Sequence, residues 1–258
     1  MKTPSCLILS LLLLLINCNK NDVVFSPNPS TALNTVIRSL DLKENDEILT
    51  TDHEYGAMDK TWQFICKKRL SKYIKVPVEL PVQSTKEFVD NFLSYISKNT
   101  KVIFLSHITS PTGLIFPVEE ICKAVESKKI ITIIDGAHVP GHIKLNIKKL
   151  NPDVYTGACH KWMCTPKGVS FLYSSKKLQQ QLEPLIVSWG WEESDKPSDL
   201  KFLDHNQYQG TNDISGYLSV PKAIEFLNKN NWTEISKTCK KNIIESRDIL
   251  LDTLKTEP

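Results

Sequence analysis

Short apolar runs recur along the chain, and polar residues or glycine follow each of them. The clearest run is residues 130–134, which is rich in β-branched side chains and leads into Asp135 and Gly136. Runs of this length, bounded by turn residues, are typical of buried strands. A similar run at residues 102–105 precedes it, and another at residues 154–156 follows it. These runs predict the centre of one sheet.

A helical pattern separates the first two of these strands. Residues 117–127 carry apolar side chains at helical spacing, with Pro117 in the first turn. A strand, a helix and a second strand in this order form a βαβ unit with parallel strands and a right-handed crossover. The sequence therefore predicts an α/β fold, with a mainly parallel central sheet flanked by helices.

Further elements are predicted on both sides of this unit. Strands are expected at residues 23–25, 47–51 and 169–173, with an edge strand at 75–79. Helices are expected at residues 32–40, 58–70, 84–97, 176–182, 219–228 and 232–254. Ser84 and Glu87 form a capping-box pattern at the start of the third helix. An irregular stretch is expected around Trp189, Trp191 and Pro197.

Composition places the chain among ordinary globular proteins. It has 258 residues, 41% of them hydrophobic and 24% charged, with a formal net charge of +3. Basic residues are scattered, which argues against a nucleic-acid partner. The seven cysteines show no Cys-x-x-Cys spacing, so neither a disulfide framework nor a metal site is predicted. Cys159 and Cys164 are interpreted as small buried packing residues, with reactive thiols as the alternative.

The first sixteen residues combine Lys2 with a leucine-rich run at residues 7–16. This run has the shape of a signal-peptide core and is short for a membrane span, but no convincing small-residue cleavage site follows it. A truncated or divergent start is the favoured interpretation, and a secretory signal is the alternative. The chain is accordingly expected in the cytoplasm, or outside the cell if the signal is genuine, with no firm membrane partner.

Candidate chemistry comes from an acid and a lysine at strand ends. Asp135 ends one predicted strand, and the strand at residues 154–156 leads to His160 and Lys161. Since α/β sheets bind ligands beyond the carboxyl ends of their strands, Asp135 and Lys161 are expected to meet. A lysine can hold pyridoxal phosphate as a Schiff base, and an aspartate can keep its pyridine nitrogen protonated. Singly, Asp135 fits a turn cap and Lys161 a surface charge; the pair indicates the cofactor.

Three segments around these residues carry a family resemblance. They resemble the class V aminotransferase family of pyridoxal-phosphate enzymes, and most closely its isopenicillin N epimerase-like group, over residues 17–228: LSHITSPTGLIFP, DGAHVPG and DVYTGACHKWMCTPKG. The resemblance implies the large domain of a PLP-dependent transferase, with three αβα layers. It implies that Lys161 binds the cofactor and that Asp135 pairs with the pyridine nitrogen. His138 would hydrogen-bond the phenolic oxygen, and His160 would lie near the phosphate.

The resemblance implies further cofactor contacts. Ser30 and Thr31, close to a predicted helix start, would bind the phosphate, as helix N-termini bind anions. His53 would stack on the cofactor ring, with Tyr55 as a rival. Ser110 occupies the place where desulfurase relatives have an asparagine directed at the phenolic oxygen, so its role is less defined.

The resemblance also implies a homodimer. Gly210 and Thr211 match a glycine-threonine pair that completes the phosphate site of the neighbouring subunit. Asn212 departs from the family, because relatives commonly have an arginine there. This change would weaken a charge contact or retune the substrate site.

Three parts of the chain are distinguished on these grounds. Residues 1–20 are an apolar N-terminal segment, residues 21–230 the cofactor-binding large domain, and residues 231–258 a helix leading to a small domain that is largely missing. The implied activity is on an amino-acid substrate, as an epimerase, a cysteine-derivative lyase or an aminotransferase. The alternative is a truncated or catalytically silent relative that acts through assembly, because the missing domain usually holds the substrate carboxylate.

Overall fold

The structure, a computed structural model, describes residues 16–192, 198 and 200–256. Most of the apolar run at residues 7–16 and Pro197 lie outside the described residues. Seven strands form one sheet: β1 Val23–Ser26, β2 Glu47–Thr51, β3 Lys72–Val76, β4 Thr100–Ser106, β5 Ile131–Asp135, β6 Val154–Ala158 and β7 Ser170–Ser174.

Helices connect most of the strands and complete the described part of the chain. In chain order they are α1 Pro29–Ser39, α2 Gly56–Arg69, α3 Thr85–Ser94, α4 Val118–Val125, α5 Ile147–Leu150, α6 Lys176–Gln179, α7 Lys201–Gln207, α8 Ser215–Leu218, α9 Val220–Lys229 and α10 Trp232–Leu254. None of the described helices is long and apolar enough to cross a membrane.

The sheet has the order β1-β7-β6-β5-β4-β2-β3. Neighbours from β3 to β6 are parallel, whereas β7 is antiparallel to β6 and to β1. The predicted βαβ unit is β4-α4-β5, whose strands are parallel neighbours. The carboxyl ends of β1 to β6 therefore lie at one edge of the sheet.

Both faces of the sheet are buried. On β4, Ile103 and Leu105 belong to one apolar cluster, and Phe104 belongs to the other. Helices α1 and α2 cover the face that carries Phe104, and α3, α4 and α9 cover the opposite face. A strand buried on both faces needs a continuous apolar run, which explains the sequence pattern. The predicted three-layer αβα fold is confirmed.

Several predicted boundaries were wrong. The edge strand occupies Lys72–Val76 and not residues 75–79, because Pro77 follows it and has no N–H for the ladder. Helix α1 begins at Pro29 and not at residue 32, since Asn28 caps it and proline fits the first helical position. Helix α6 ends at Gln179, three residues before the predicted end.

Two further findings were not predicted. Helices α7 and α8 fall in a region where the sequence shows no clear helical period. Cys159 is buried, in agreement with its interpretation as a packing residue, but Cys164 is exposed in a left-handed turn. The packing interpretation of Cys164 was therefore wrong.

Candidate active site

A cavity of about 460 Å³ opens at the edge where the parallel strands end. Its size is typical of small-molecule sites. The cavity is lined by residues from the ends of five strands and the segments that follow them. They are Asn28, Pro29, Ser30, Tyr55, Ser106, Ile108, Ser110, Asp135, Ala137, His138, His160 and Lys161. A larger cleft, about 660 Å³, is lined by the single segment from Val76 to Phe92, which follows the edge strand β3, and it contains none of the predicted site residues. The smaller cavity is the candidate site.

Asp135 is the last residue of β5 and is almost completely buried. Its Oδ1 accepts a hydrogen bond from the backbone N–H of Ala137 at 2.9 Å. Burial raises the pKa of its carboxyl, while the Ala137 N–H and the Lys161 amine act in the opposite direction. A buried carboxylate of this kind is stabilised by a cationic partner, which the pyridine nitrogen of the predicted cofactor can provide once protonated.

Tyr155 of β6 packs directly beneath the turn that follows Asp135. A Cβ atom added to Gly136 would lie 2.2 Å from the Tyr155 ring, so no larger residue fits there without a shift. The Tyr155 hydroxyl lies 2.9 Å from Nδ1 of His107. Burial and the nearby Asp135 both raise the pKa of Tyr155. Tyr155 is thus a packed, neutral side chain directly behind the turn that follows Asp135.

Lys161 follows β6 and lines the same cavity as Asp135. Its Nζ lies 2.9 Å from Nε2 of His138. Burial of the amine lowers the pKa of Lys161, although the charge of Asp135 acts in the other direction. Burial, Lys161 and His142 together lower the pKa of His138 to about 4. His138 is therefore a neutral imidazole near pH 7.

The N-terminus of α1 and the His160 side chain line the cavity as well. The Asn28 side chain accepts a hydrogen bond from the N–H of Thr31 at 2.8 Å, while Ser30 lines the cavity. Nδ1 of His160 lies 2.8 Å from the carbonyl of Val169, so Nδ1 carries the proton. Burial lowers the pKa of His160. An anion bound nearby would shift that pKa upward.

The loop after β2 places His53 and Tyr55 differently. Nδ1 of His53 lies 2.8 Å from an Asp52 carboxylate oxygen, and His53 is absent from the cavity lining. Tyr55, considered as its rival, does line the cavity. Between them, Glu54 is buried and accepts hydrogen bonds from the Ser106 backbone and hydroxyl and from Thr51. Sequence reasoning missed Glu54, because nothing in the pattern shows that this loop turns inward.

Two remaining candidates differ in position. Ser110 is exposed at the cavity. Thr211 is exposed in the turn between α7 and α8 and does not line the cavity of its own chain. The structure thus brings together Ser30, Ser110, Asp135, His138, His160 and Lys161, and leaves Thr31, His53 and Thr211 outside the lining.

The sequence matches the family model described as Aminotransferase class-V over residues 12–256. The chain belongs to the class V aminotransferase family. Class V aminotransferases are pyridoxal-phosphate enzymes, and membership assigns this cofactor to the chain.

Relatives in this family include an isopenicillin N epimerase and an L-cysteine desulfhydrase-like protein. Isopenicillin N epimerase of Streptomyces clavuligerus is 32% identical over 215 residues, which are 79% of this chain and 54% of the relative. L-cysteine desulfhydrase-like protein lolT2 of Epichloe uncinata is 26% identical, over 82% of this chain and 50% of the relative. The chain spans about half the length of these curated relatives.

Solved structures show the same fold. A cysteine desulfurase from Thermococcus onnurineus NA1 superposes with a TM-score of 0.80 at 22% identity, covering 98% of this chain and 64% of that one. The cystine C-S lyase C-DES gives a TM-score of 0.76 at 23% identity, covering 86% and 60%. Both comparisons confirm the predicted fold class.

The residues of the cavity fit pyridoxal phosphate. A buried carboxylate, a lysine whose amine has a lowered pKa, and a helix N-terminus are the three groups that its pyridine nitrogen, aldehyde and phosphate require. All three open into one cavity of suitable size. The sequence alone could pair Asp135 with Lys161, because both follow strands at the same edge.

Proposed function

We propose that this chain forms the cofactor site of a pyridoxal-phosphate enzyme that acts at the α-carbon of an amino acid. The observation that carries the proposal is the pair of Asp135 and Lys161 at one cavity, with His138 beside the lysine amine. When bound, the cofactor supplies a conjugated ring that accepts the electron pair left at the α-carbon.

Asp135 would act on the electronics of the site. Its carboxylate, excluded from water by burial, would pair with the protonated pyridine nitrogen. Because it sits at the end of a central strand, its position is fixed by the β4 and β6 ladders on both sides. Asp135 would thus stabilise the negative charge that develops when the α-proton leaves.

Lys161 would carry out both covalent binding and proton transfer. Burial lowers the pKa of its amine, which increases the fraction of the neutral, nucleophilic form. In its neutral form, Nζ would also accept the α-proton as a general base. His138 would donate a hydrogen bond to the cofactor's phenolic oxygen, since its Nε2 lies beside Nζ.

Other contacts would fix the cofactor in place. We propose that Ser30 and the N-terminus of α1 bind the phosphate, with Thr31 behind them and His160 nearby. Tyr55 lines the cavity and is available for stacking on the ring; His53 would have to leave its contact with Asp52 to do so. Ser110 would lie on the phenolic-oxygen side.

The proposed reaction begins with loss of the substrate α-proton. Epimerisation, elimination from a cysteine derivative and transamination all begin with loss of the α-proton. We favour epimerisation or C–S bond cleavage, because the curated relatives are named an isopenicillin N epimerase and an L-cysteine desulfhydrase-like protein. We further propose a homodimer in which Thr211 of each subunit serves the phosphate site of the other.

The test is covalent cofactor binding followed by proton exchange. The purified chain mixed with pyridoxal phosphate should turn yellow, and borohydride should fix the cofactor on Lys161, as peptide mass spectrometry would show. Lys161→Ala should abolish the fixed adduct. Lys167→Ala, which changes an exposed lysine in the same connection, should leave it unchanged. A specific adduct that persists in Lys161→Ala would disprove the lysine assignment.

Asp135→Asn separates binding from chemistry. The variant should still bind the cofactor through Lys161, but exchange of the substrate α-proton in deuterated water should fall by roughly two orders of magnitude or more. The reason is that the pyridine nitrogen loses its charged partner. Unchanged exchange would remove Asp135 from the mechanism.

A second candidate function rests on one observation. None of the described residues that line the cavity is an arginine, the side chain best suited to hold a substrate carboxylate. The alternative is a cofactor-binding chain without turnover that acts through assembly. A stable Lys161 adduct with no α-proton exchange for any amino acid tested would favour it.

A further inference from the structure

Trp162 sits next to Lys161 and contacts the same histidine. Its indole N–H donates a hydrogen bond to Nδ1 of His138, with 3.3 Å between the nitrogens. The two rings are 6.4 Å apart and tilted by 47°, so the contact is made through the ring edge rather than by stacking. His138 is therefore held between the indole at Nδ1 and the Lys161 amine at Nε2.

The indole decides which nitrogen of His138 carries the proton. An indole N–H can only donate, so Nδ1 must act as an acceptor. A neutral imidazole has one proton, which is then on Nε2. His138 is neutral near pH 7, since burial and its neighbours lower its pKa to about 4. Nε2–H can be donated to Nζ only if the amine of Lys161 is also neutral.

Packing holds the indole in place for this role. The His142 ring lies 4.8 Å from the Trp162 ring, and Nδ1 of His142 lies 3.2 Å from the carbonyl of His138. Gly141 approaches the backbone of Trp162 so closely that an added Cβ would lie 2.5 Å from the Trp162 carbonyl oxygen. The turn at residues 138–142 and the loop at 161–163 are thus packed backbone against backbone.

We propose that Trp162 is a positioning residue that fixes His138 in the Nε2–H tautomer. The single Nε2–H is then donated to Lys161 in the free chain and is available to the cofactor's phenolic oxygen when the cofactor is bound. The value of this arrangement for catalysis rests on the proposed function, but the tautomer itself does not. Without the indole, Nδ1 can take the proton, and Nε2 would become an acceptor that favours the ammonium form of Lys161. Asp135, His142 and His160 are the other titratable groups around this pair.

Nitrogen NMR of the full chain, labelled with ¹⁵N-histidine and free of cofactor, tests the tautomer. His138→Gln identifies the signals of His138. Near pH 7, Nε2 should resonate as a protonated nitrogen and Nδ1 as an unprotonated one. In Trp162→Phe the two shifts should move toward each other, because both tautomers become populated. Trp162 is 43% exposed, and phenylalanine is also an aromatic residue, so the fold should survive the substitution.

The control is Trp191→Phe. Trp191 also lies against a histidine, with its ring 4.6 Å from that of His205, but it is not part of the cavity lining. This variant should leave both His138 shifts unchanged. A second readout is the acetylation rate of Lys161 by acetic anhydride, measured by mass spectrometry, which should fall several-fold in Trp162→Phe and not in Trp191→Phe.

Two results would overturn the proposal. One is a proton on Nδ1 of His138 in the unaltered chain, which needs no variant to be observed. The other is a His138 spectrum and a Lys161 acetylation rate that Trp162→Phe leaves unchanged. Neither measurement involves the cofactor, so a chain that fails to bind pyridoxal phosphate would refute the proposed function and leave the tautomer assignment standing.

Discussion

Glu54 is a buried acid that follows β2, which is separated from the Asp135 strand β5 by β4. Three hydrogen bonds stabilise its charged form: the N–H and hydroxyl of Ser106 at 2.8 and 2.6 Å, and the hydroxyl of Thr51 at 2.7 Å. Burial outweighs them and, with a further contribution from Asp135, raises the pKa of Glu54 from 4.5 to about 7. Below about pH 7, the protonated form of Glu54 therefore predominates in the folded chain.

This shift predicts how stability depends on pH. Since the pKa of Glu54 is higher in the folded chain than in the unfolded chain, its contribution is fully present below pH 4.5 and is lost as pH rises through about 7. The loss amounts to roughly 3 kcal/mol, at about 1.4 kcal/mol per pKa unit. Glu54→Gln mimics the protonated acid, so its free energy of unfolding should fall less between about pH 5 and pH 8 than that of the unaltered chain.

Urea unfolding across this pH range measures the difference. Glu44→Gln, which changes an exposed glutamate, is the matched control and should follow the unaltered chain. Parallel curves for the unaltered chain and Glu54→Gln would show that Glu54 ionises normally in the folded state.

Gly136 is a second residue whose identity is set by its surroundings. Its Cα hydrogen faces the buried Tyr155 ring, and a Cβ would lie 2.2 Å from that ring. Gly136→Ala should therefore destabilise the chain by about 1–3 kcal/mol through overpacking. Gly56→Ala, at the start of α2 where a Cβ would meet nothing within 4 Å, should cost far less. Thermal melts of both variants test this; equal melting temperatures would contradict it.

At the scale of elements, α1 links stability to cofactor binding. Asn28 caps α1 through the N–H of Thr31 and also lines the cavity. Asn28→Ala should lower the free energy of unfolding by about 1 kcal/mol and weaken pyridoxal-phosphate binding. Ser84 caps α3 in the same way, accepting a hydrogen bond from the N–H of Glu87 at 3.1 Å, but lies outside the cavity.

Ser84→Ala is accordingly the control for Asn28→Ala. It should lose a similar amount of stability and keep the cofactor affinity of the unaltered chain. Spectroscopic titration with pyridoxal phosphate gives the affinities, and urea unfolding gives the stabilities. Equal affinity losses in both variants would mean that α1 has no special relation to the phosphate.

The strands and helices also show which element boundaries the sequence pattern predicts well. The central strands were placed within about two residues, because strands buried on both faces leave continuous apolar runs. The start of α1 was missed by three residues, since the side chain of Asn28, rather than that of Ser30 or Thr31, accepts the capping hydrogen bond. Helix α7 was missed altogether, because its sequence, KFLDHNQ, is largely polar although four of its residues are buried.

At the scale of the whole molecule, the proposed homodimer can be tested by mixing two variant chains. If Thr211 completes the site of the partner subunit, a heterodimer of Lys161→Ala and Thr211→Val chains has one intact site, made of Lys161 from one chain and Thr211 from the other. Mixing should therefore restore tight cofactor binding that neither variant shows alone. If each site used residues of one chain only, no mixed dimer would regain it.

Sedimentation provides the companion measurement. The chain with cofactor should sediment as a dimer whose population depends on concentration. A monomer that binds pyridoxal phosphate at full occupancy and normal affinity would contradict the shared site. The division of the chain at residues 20 and 230 stays a prediction.

The sequence by itself determined the three-layer architecture and the placement of Asp135 and Lys161 at the same edge of the sheet. Strand periodicity fixes which residues are buried, and parallel strands place their carboxyl ends at one edge, so both conclusions follow from local order along the chain. Only the tertiary structure decided that Tyr55 and not His53 lines the cavity, that Glu54 turns inward beneath Ser106, and that Trp162 reaches Nδ1 of His138. These contacts join loops that are distant in sequence or turn irregularly, and the direction of a loop side chain depends on packing that no periodic pattern records.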